Sequence, residues 1–198
     1  MNFNIPNVGN DPLTYVLHTE FSNTIKHLND LWLEFGVFRG STINNMSNYT
    51  KDTVYGFDSF EGLPEFWREG FDAGAFNLEG QLPSVNNNVE LIKGWFTETL
   101  PTFLEAHPSS NITLLHIDCD LYSSTKYVLD TCRYFIKPGC IVVFDELINY
   151  DGWDGDNGEF RAFNEWVQEN DIKFEWIGMN GKIGDVGGIH ERVALKIV

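Results

Sequence analysis

The sequence predicts an α/β protein in which a parallel sheet is doubly wound, with helices on both faces. Three observations support this fold class. Short apolar, β-rich runs alternate along the chain with stretches of helical character. Several of the runs end in glycine or acidic residues, where open α/β sheets place their ligand sites. A length of 198 residues suits one core rather than two, so we expect a single domain over residues 1–198.

The predicted elements begin with an amphipathic helix that precedes the sheet. Asp11 followed by Pro12 is typical of a helix start, and apolar residues then recur at helical spacing as far as Ile25 and Leu28. This pattern gives an N-terminal helical extension over residues 1–30. Strands are predicted at 31–38, 53–60, 89–96, 112–120, 140–146, 174–179 and 190–198. Helices are predicted between strands at 41–49, 99–106, 123–136 and 158–170.

One long segment, residues 61–88, lacks the periodicity of a helix or a strand. It contains Trp67, Phe71, Phe76 and several glycines. Loops of this length in a small domain are uncommon and are often functional lids, so we predict that this segment covers a binding site. The alternative is a surface loop whose aromatic residues pack only against one another.

The overall charge limits the partners of the protein. Against 13 basic residues there are 29 acidic ones, and a net charge of -16 repels nucleic acid and anionic membranes. A small neutral or cationic acceptor is more compatible with this negative electrostatic field. No apolar run approaches the ~20 residues of a membrane span, and the first residues lack a signal-peptide pattern, so we expect a cytoplasmic protein. A homo-oligomer is compatible with the sequence.

The first two predicted strands end in residues suited to a nucleotide-like ligand. Gly36 and Gly40 follow strand one and let the backbone approach a ligand, while Ser41 can cap the next helix. The absence of G-x-G-x-x-G counts against a dinucleotide. Asp58 ends strand two, where a carboxylate can accept both hydroxyl hydrogens of a ribose. On position alone, Asp58 could equally be a capping or solvated residue.

Acidic residues follow the fourth and fifth predicted strands. Strand alternation places Asp118 and Asp120 on one face, with Cys119 on the other. Asp145 and Glu146 end the next strand, about 4.8 Å away across the ladder in the usual strand order. Four acids in one cleft favour a hard divalent cation such as Mg²⁺. The alternative is a set of separate acids at strand ends, with raised pKa values or solvent contact.

Five sequence blocks resemble the macrocin O-methyltransferase family, whose members methylate sugar hydroxyls of antibiotics. The blocks are EFGVFRGS at 34–41, YGFDSFEGLP at 55–64, GWFTETLP at 94–101, HIDCDLYSST at 116–125 and PGCIVVFDE at 138–146. The resemblance implies a class I S-adenosylmethionine-dependent methyltransferase fold, with a mostly parallel seven-stranded sheet whose last strand is antiparallel. One position departs from the family pattern, which has two aspartates where this chain has Asp145 and Glu146.

The resemblance also implies roles for individual residues. Gly36 and Ser41 would border the methionine part of S-adenosylmethionine, Asp58 would hold its ribose, and Gly94 and Trp95 would lie near the adenine. The cofactor residues also include Glu34 and Ser59, which belong to the same blocks. Asp118, Asp145 and Glu146 would hold magnesium or another hard divalent cation, and Asp120 would be the general base.

The sequence therefore predicts a metal-dependent O-methyltransferase acting on a hydroxyl of a small acceptor, such as a sugar or a secondary metabolite. A bound metal lowers the pKa of such a hydroxyl and fixes its position. One alternative is a metal-dependent glycosyltransferase that uses a nucleotide sugar at Asp118-x-Asp120. Another is a non-catalytic binding module on the same fold, which loss of the acidic residues would have favoured.

Overall fold

The computed structural model describes residues 4–22 and 30–198. Its strands are β1 Asp30–Phe35, β2 Val54–Asp58, β3 Val89–Lys93, β4 Asn111–Ile117, β5 Ile136–Phe144, β6 Phe174–Met179 and β7 Val193–Ile197. Its helices are α1 Pro12–Val16, α2 Ser41–Ser47, α3 Phe96–Ala106, α4 Tyr122–Cys132 and α5 Glu159–Glu169. A π-helical turn, Leu17–Phe21, continues α1, and a 3₁₀ turn, Gly188–His190, precedes β7.

The strands of the described chain form one seven-stranded sheet in the order β3-β2-β1-β4-β5-β7-β6. Strands β1 to β5 pair in parallel, whereas β7 is antiparallel to both of its neighbours. The predicted fold class and the antiparallel last strand are confirmed. Strands β4 and β5 are adjacent, so the residues that follow them meet at one edge of the sheet.

Two apolar layers cover the sheet because alternate strand side chains face opposite sides. Leu33 and Phe35 of β1 join the layer that contains Phe163 and Trp166 of α5. Trp32 joins the other layer, which contains residues of α1 and α2. Burial on both faces explains why these strands appear in the sequence as nearly continuous apolar runs.

The N-terminal helix begins where the sequence predicted. The Asp11 side chain accepts hydrogen bonds at 2.8 Å from both the backbone nitrogen and the hydroxyl of Thr14. Leu13, Val16 and Leu17 are buried in the layer beside β1. Helical structure is described as far as Phe21. The predicted continuation through Ile25 and Leu28 lies outside the described residues.

Several predicted boundaries are wrong, mostly because the chain turns sharply at the strand ends. The predicted strand 31–38 ends at Phe35, since Gly36 has a φ of 91°. The predicted strand 112–120 ends at Ile117, and Asp120 has a φ of 64°. Strand alternation therefore does not explain the positions of Asp118 and Asp120.

Other corrections concern helix starts and strand limits. Helix α2 has Gly40 at its cap position without a side-chain cap bond, so Ser41 is the first helical residue rather than the cap. The predicted strands 53–60 and 89–96 end at Asp58 and Lys93, helix α3 already begins at Phe96, and helix α4 ends at Cys132. Strand β5 begins at Ile136 rather than 140, and β7 begins at Val193 rather than 190.

The segment 61–88 contains no helix or strand and is held at both ends by side chains. Near its start, the Ser123 hydroxyl donates a 2.6 Å hydrogen bond to Glu65. At its end, the Asn88 amide donates to the carbonyls of Ser47 and Thr50 at 3.0 Å each. The segment is thus attached to α4 on one side and to the end of α2 on the other.

None of the helices in residues 4–22 and 30–198 is long and apolar enough to cross a bilayer.

Gly36, which follows β1, lies directly against the backbone of the chain that follows β4. A Cβ atom added to Gly36 would lie 1.7 Å from the carbonyl oxygen of Asp118. The Asp118 backbone nitrogen in turn donates to the Phe35 carbonyl at 2.9 Å. The chain segments after β1 and β4 therefore come together only because residue 36 has no side chain.

Replacing Gly36 by alanine is expected to lower the free energy of unfolding by at least about 2 kcal/mol, because the new methyl group collides with backbone atoms. Gly152→Ala is the matched control. Gly152 also has a positive φ, 81°, but nothing lies within 4 Å of its added Cβ, so its loss should be about 1 kcal/mol. Denaturant unfolding of both variants measures the difference. Equal losses would show that the contact with Asp118 does not limit residue 36.

Candidate active site

A cavity of about 820 Å³ opens at the carboxyl edge of the sheet, between the ends of β1, β2 and β4 and the segment 61–88. Most of the predicted site residues line it together: Gly36, Ser41, Asp58, Ser59, Trp95, Asp118, Asp120 and Glu146. Its volume is within the range of about 300 to 1,000 Å³ that is usual for small-molecule sites. The edge of the sheet that the sequence indicated thus contains a cavity large enough for a small molecule.

Two predicted cofactor residues, Glu34 and Gly94, are not among the residues that line this cavity. Glu34 is fully buried, and its Oε1 lies 3.0 Å from His116 Nδ1. Burial raises the pKa of Glu34 to about 7. Gly94 has a φ of 141°, and an added Cβ would lie 2.8 Å from the Thr99 side chain. Each residue therefore has a structural role outside the cavity: Glu34 contacts the buried His116, and Gly94 leaves room for the Thr99 side chain.

Asp58 lines the cavity but also holds the loop after β1. One of its carboxylate oxygens accepts hydrogen bonds from the backbone nitrogens of Val37 and Phe38, both at 2.8 Å. The other accepts from the Phe60 nitrogen at 2.7 Å. The sequence pattern suggested a ribose ligand or a cap and did not reveal this link between the ends of β1 and β2. A ribose would have to share a carboxylate that already accepts three backbone bonds.

The acids predicted to bind metal do lie together. Carboxylate oxygens of Asp118, Asp145 and Glu146 all lie within 4.8 Å of one another. Burial raises the pKa of Asp118 to about 6 and holds that of Glu146 well above its usual range, with repulsion from neighbouring acids adding to both. Glu146 Oε2 is buried without a hydrogen-bond partner among the described residues. A hard cation with oxygen ligands fits this donor set.

Arg192 is one of two residues at this site that the sequence analysis missed. Its guanidinium contacts the carboxylate of Asp145 and also that of Asp11, which caps α1. His116 Nε2 lies 3.3 Å from the same Asp145 oxygen, Oδ1. A lone arginine within the last predicted strand, 190–198, gave no signal, because its partners are distant in sequence. Asp145 Oδ1 therefore already contacts two basic side chains of the protein itself.

Asp120 is held in a strained and buried position beside the acids predicted to bind metal. It is only 6% exposed, and its positive φ costs a non-glycine residue about 1 kcal/mol. Burial raises the pKa of Asp120 to about 7, opposed by the positive charge of Arg68 and reinforced by Glu191. A carboxyl group with such a pKa, in a cavity, can exchange a proton near neutral pH.

Glu159, the first residue of α5, is the other residue that sequence reasoning did not single out, and it is a buried acid. Its Oε2 accepts a hydrogen bond from the Glu146 nitrogen at 3.3 Å, and its carboxylate is also bonded to the Cys119 backbone. It thereby links the turn after β4 to the turn after β5. An acid in the first turn of a helix is common, so its burial could not be inferred from position.

The segment 61–88 forms an aromatic roof over the cavity. Ring centroids of Trp67 and Phe71 lie 5.2 Å apart, Phe71 stacks on Phe76 at 5.4 Å, and Phe76 meets Phe38 edge-on at 5.4 Å. All four rings line the cavity. The rings therefore pack against one another and also line the cavity, and the role of the segment as a lid stays a prediction.

The fold is that of class I methyltransferases. The O-methyltransferase NovP superposes with a TM-score of 0.63 at 23% identity, over 93% of this chain and 77% of NovP. The calicheamicin methyltransferase CalS11 superposes with a TM-score of 0.62 at 22% identity, over 93% of this chain and 75% of CalS11.

The chain belongs to the family described as a methyltransferase domain, whose profile matches residues 33–147. A Streptomyces olivaceus relative, the 8-demethyl-8-(2,3-dimethoxy-alpha-L-rhamnosyl)-tetracenomycin-C 4'-O-methyltransferase, is 28% identical over 69% of this chain. The demethyldecarbamoylnovobiocin O-methyltransferase of Streptomyces niveus is 26% identical over 59% of this chain. The chain spans 59% and 52% of these two relatives, respectively. This family does not favour the glycosyltransferase alternative.

Replacing Arg192 by methionine is expected to lower the free energy of unfolding by about 2 to 4 kcal/mol, because Asp145 and Asp11 lose a shared, mostly buried partner. Lys196→Met is the matched control. Lys196 lies on β7, which begins directly after Arg192, and it pairs at 3.1 Å with Glu20. Both of these side chains are more exposed, so that loss should stay below about 1 kcal/mol. Chemical denaturation compares the two. A loss for Arg192→Met no larger than the control would refute its role as counter-charge.

Proposed function

We propose that this chain is an S-adenosylmethionine-dependent O-methyltransferase that methylates a hydroxyl of a small acceptor with the help of a hard divalent cation. One observation carries the proposal. On a methyltransferase fold, Asp120 lines the same cavity as Asp118 and Glu146, and Asp118, Asp145 and Glu146 form an oxygen-rich cluster beside it. Such a site can orient a hydroxyl and accept its proton.

The acceptor class is supported by the relatives and by the sequence blocks. The names of the two Streptomyces relatives describe O-methyltransferases of secondary metabolites, one of them carrying a rhamnosyl group. The five blocks resemble the macrocin O-methyltransferase family, whose acceptors are antibiotic sugars. We therefore infer that the acceptor is a sugar or another hydroxylated secondary metabolite. The cavity is lined by more acidic than basic side chains, which agrees with such an acceptor.

The metal would be held by Asp118, Asp145 and Glu146. The buried Glu146 Oε2 without a partner is the observation that favours a cation, since an isolated buried carboxylate is costly. When bound, the cation would supply Lewis acidity that lowers the pKa of the acceptor hydroxyl. Glutamate reaches one methylene further than aspartate, and here Glu146 is positioned through its backbone nitrogen by Glu159.

Asp120 is the proposed general base, and the residues around the loop after β1 are proposed to bind the cofactor. The cofactor supplies an electrophilic methyl group when bound. Gly36, Ser41, Asp58, Ser59 and Trp95 line the part of the cavity assigned to it. The aromatic roof would exclude water and contact the apolar face of the acceptor.

Replacing Asp120 by asparagine is expected to lower the rate constant of methyl transfer about 10²- to 10⁴-fold while Mg²⁺ still binds. The carboxylate that takes the proton is lost, but the three metal ligands remain. Asp118→Asn is the comparison, since it removes a ligand and should lose both Mg²⁺ affinity and turnover. Calorimetry with Mg²⁺ and mass spectrometry of methylated acceptors give the two readouts. Full activity of Asp120→Asn, or activity in excess chelator, would contradict this division of roles.

Replacing Phe76 by alanine is expected to raise KM for the acceptor about 10-fold with little change in S-adenosylhomocysteine affinity, because the roof loses a stacked ring. Phe66→Ala is the matched control. Phe66 belongs to the same segment, is 54% exposed and does not line the cavity. Steady-state kinetics and calorimetry separate the two ligands. Equal effects of both variants on KM would show that the aromatic roof does not contact the acceptor.

A further inference from the structure

The charges that line the cavity are unevenly distributed. Asp58, Asp118, Asp120 and Glu146 contribute carboxyl groups, and among the described lining residues Arg39 and Arg68 contribute the cationic side chains. A ligand carboxylate in this cavity therefore finds a positively charged side chain, among the described lining residues, at Arg39 or Arg68, whereas the acids would repel it.

Arg68 is already used by the protein itself. Its Nη1 lies 3.0 Å from Glu191 Oε2, and Glu191 is only 6% exposed. The guanidinium carbon also lies 3.9 Å from the Trp67 ring centroid and 4.7 Å from that of Tyr150. With an ion pair on one side and aromatic faces on others, Arg68 has little capacity left for a ligand carboxylate.

Arg39 is in the opposite situation. It lies in the loop between β1 and α2, and its guanidinium carbon is 5.0 Å from the Phe38 ring centroid. Within residues 4–22 and 30–198, no carboxylate lies within 4.0 Å of its nitrogens. An exposed guanidinium at the edge of an acidic cavity, not yet paired, offers a planar pair of donors that matches a carboxylate.

The cofactor of the proposed function has a charge pattern that complements this arrangement. S-adenosylmethionine carries a sulfonium cation and, at the end of its methionine part, an ammonium and one carboxylate. The acids attract the sulfonium and the ammonium but repel the carboxylate. We propose that Arg39 binds the carboxylate of the cofactor, which fixes the direction of the molecule in the cavity. This inference rests on the proposed function.

The consequence is a specific geometry for methyl transfer. With the carboxylate held at Arg39, beyond the end of β1, the sulfonium would be attracted by the carboxyl groups of Asp118 and Asp120, beyond the end of β4. These two residues are the proposed metal ligand and general base. Arg39 thus positions the cofactor and takes no part in the proton transfer.

Calorimetric titration with two ligands tests this role. S-adenosylhomocysteine has the methionine-derived carboxylate, whereas 5'-methylthioadenosine lacks the whole amino-acid end. Arg39→Met should weaken S-adenosylhomocysteine about 10- to 100-fold, as expected for loss of hydrogen bonds to a charged group. It should change the affinity for methylthioadenosine less than about 2-fold. Arg39→Lys should fall between wild type and Arg39→Met for S-adenosylhomocysteine, because charge remains but the paired donors are lost.

Lys51→Met is the control for net charge, since Lys51 is exposed and does not line the cavity. It should leave both affinities unchanged. If Arg39→Met weakened the two ligands equally, or neither, Arg39 would not bind the carboxylate. A wild-type protein that bound neither ligand would instead overturn the proposed function, so the two failures are distinguishable.

Discussion

Five carboxyl side chains meet at the ends of β4 and β5, and the surrounding structure depends on balancing their negative charge. They are Asp118, Asp120, Asp145, Glu146 and Glu159, and burial makes their repulsion costly. Arg192 neutralises one side of the group and connects it to the cap of α1, while Arg68 approaches from the segment 61–88. Elements far apart in sequence are therefore joined through this one cluster of charge, and a divalent cation would complete the balance.

The same edge of the sheet is shaped by backbone contacts that leave little freedom. Gly36 packs against the Asp118 carbonyl, and the Asp58 carboxylate holds the backbone nitrogens of Val37 and Phe38. The loop after β1 is thereby fixed to both neighbouring strands by contacts within the protein itself. Preorganisation of this kind lowers the ordering cost of binding and is typical of sites that must align a reacting group.

The sequence predicted the fold and most of the cavity because both follow from local signals. Apolar runs defined the strands, and parallel strands bring their carboxyl ends to one edge, so Asp58, Asp118 and Glu146 could be placed together. The reason given for Asp118 and Asp120 was wrong, since both follow β4 and a positive φ turns Asp120. Arg192 could not be found, because its contacts with Asp145 and Asp11 exist only once β7 and α1 are folded against the sheet.

Arg68 connects the roof of the cavity to its chemistry. The ion pair with the Glu191 side chain ties the segment 61–88 to the loop before β7. The backbone carbonyl of Glu191 also accepts hydrogen bonds from the backbone nitrogens of Leu147 and Ile148, which follow β5. The roof cannot lift at this point without separating a mostly buried ion pair and removing a positive charge from beside Asp120. The position of the aromatic roof and the charge around the proposed base are therefore coupled, because the Arg68 side chain takes part in both.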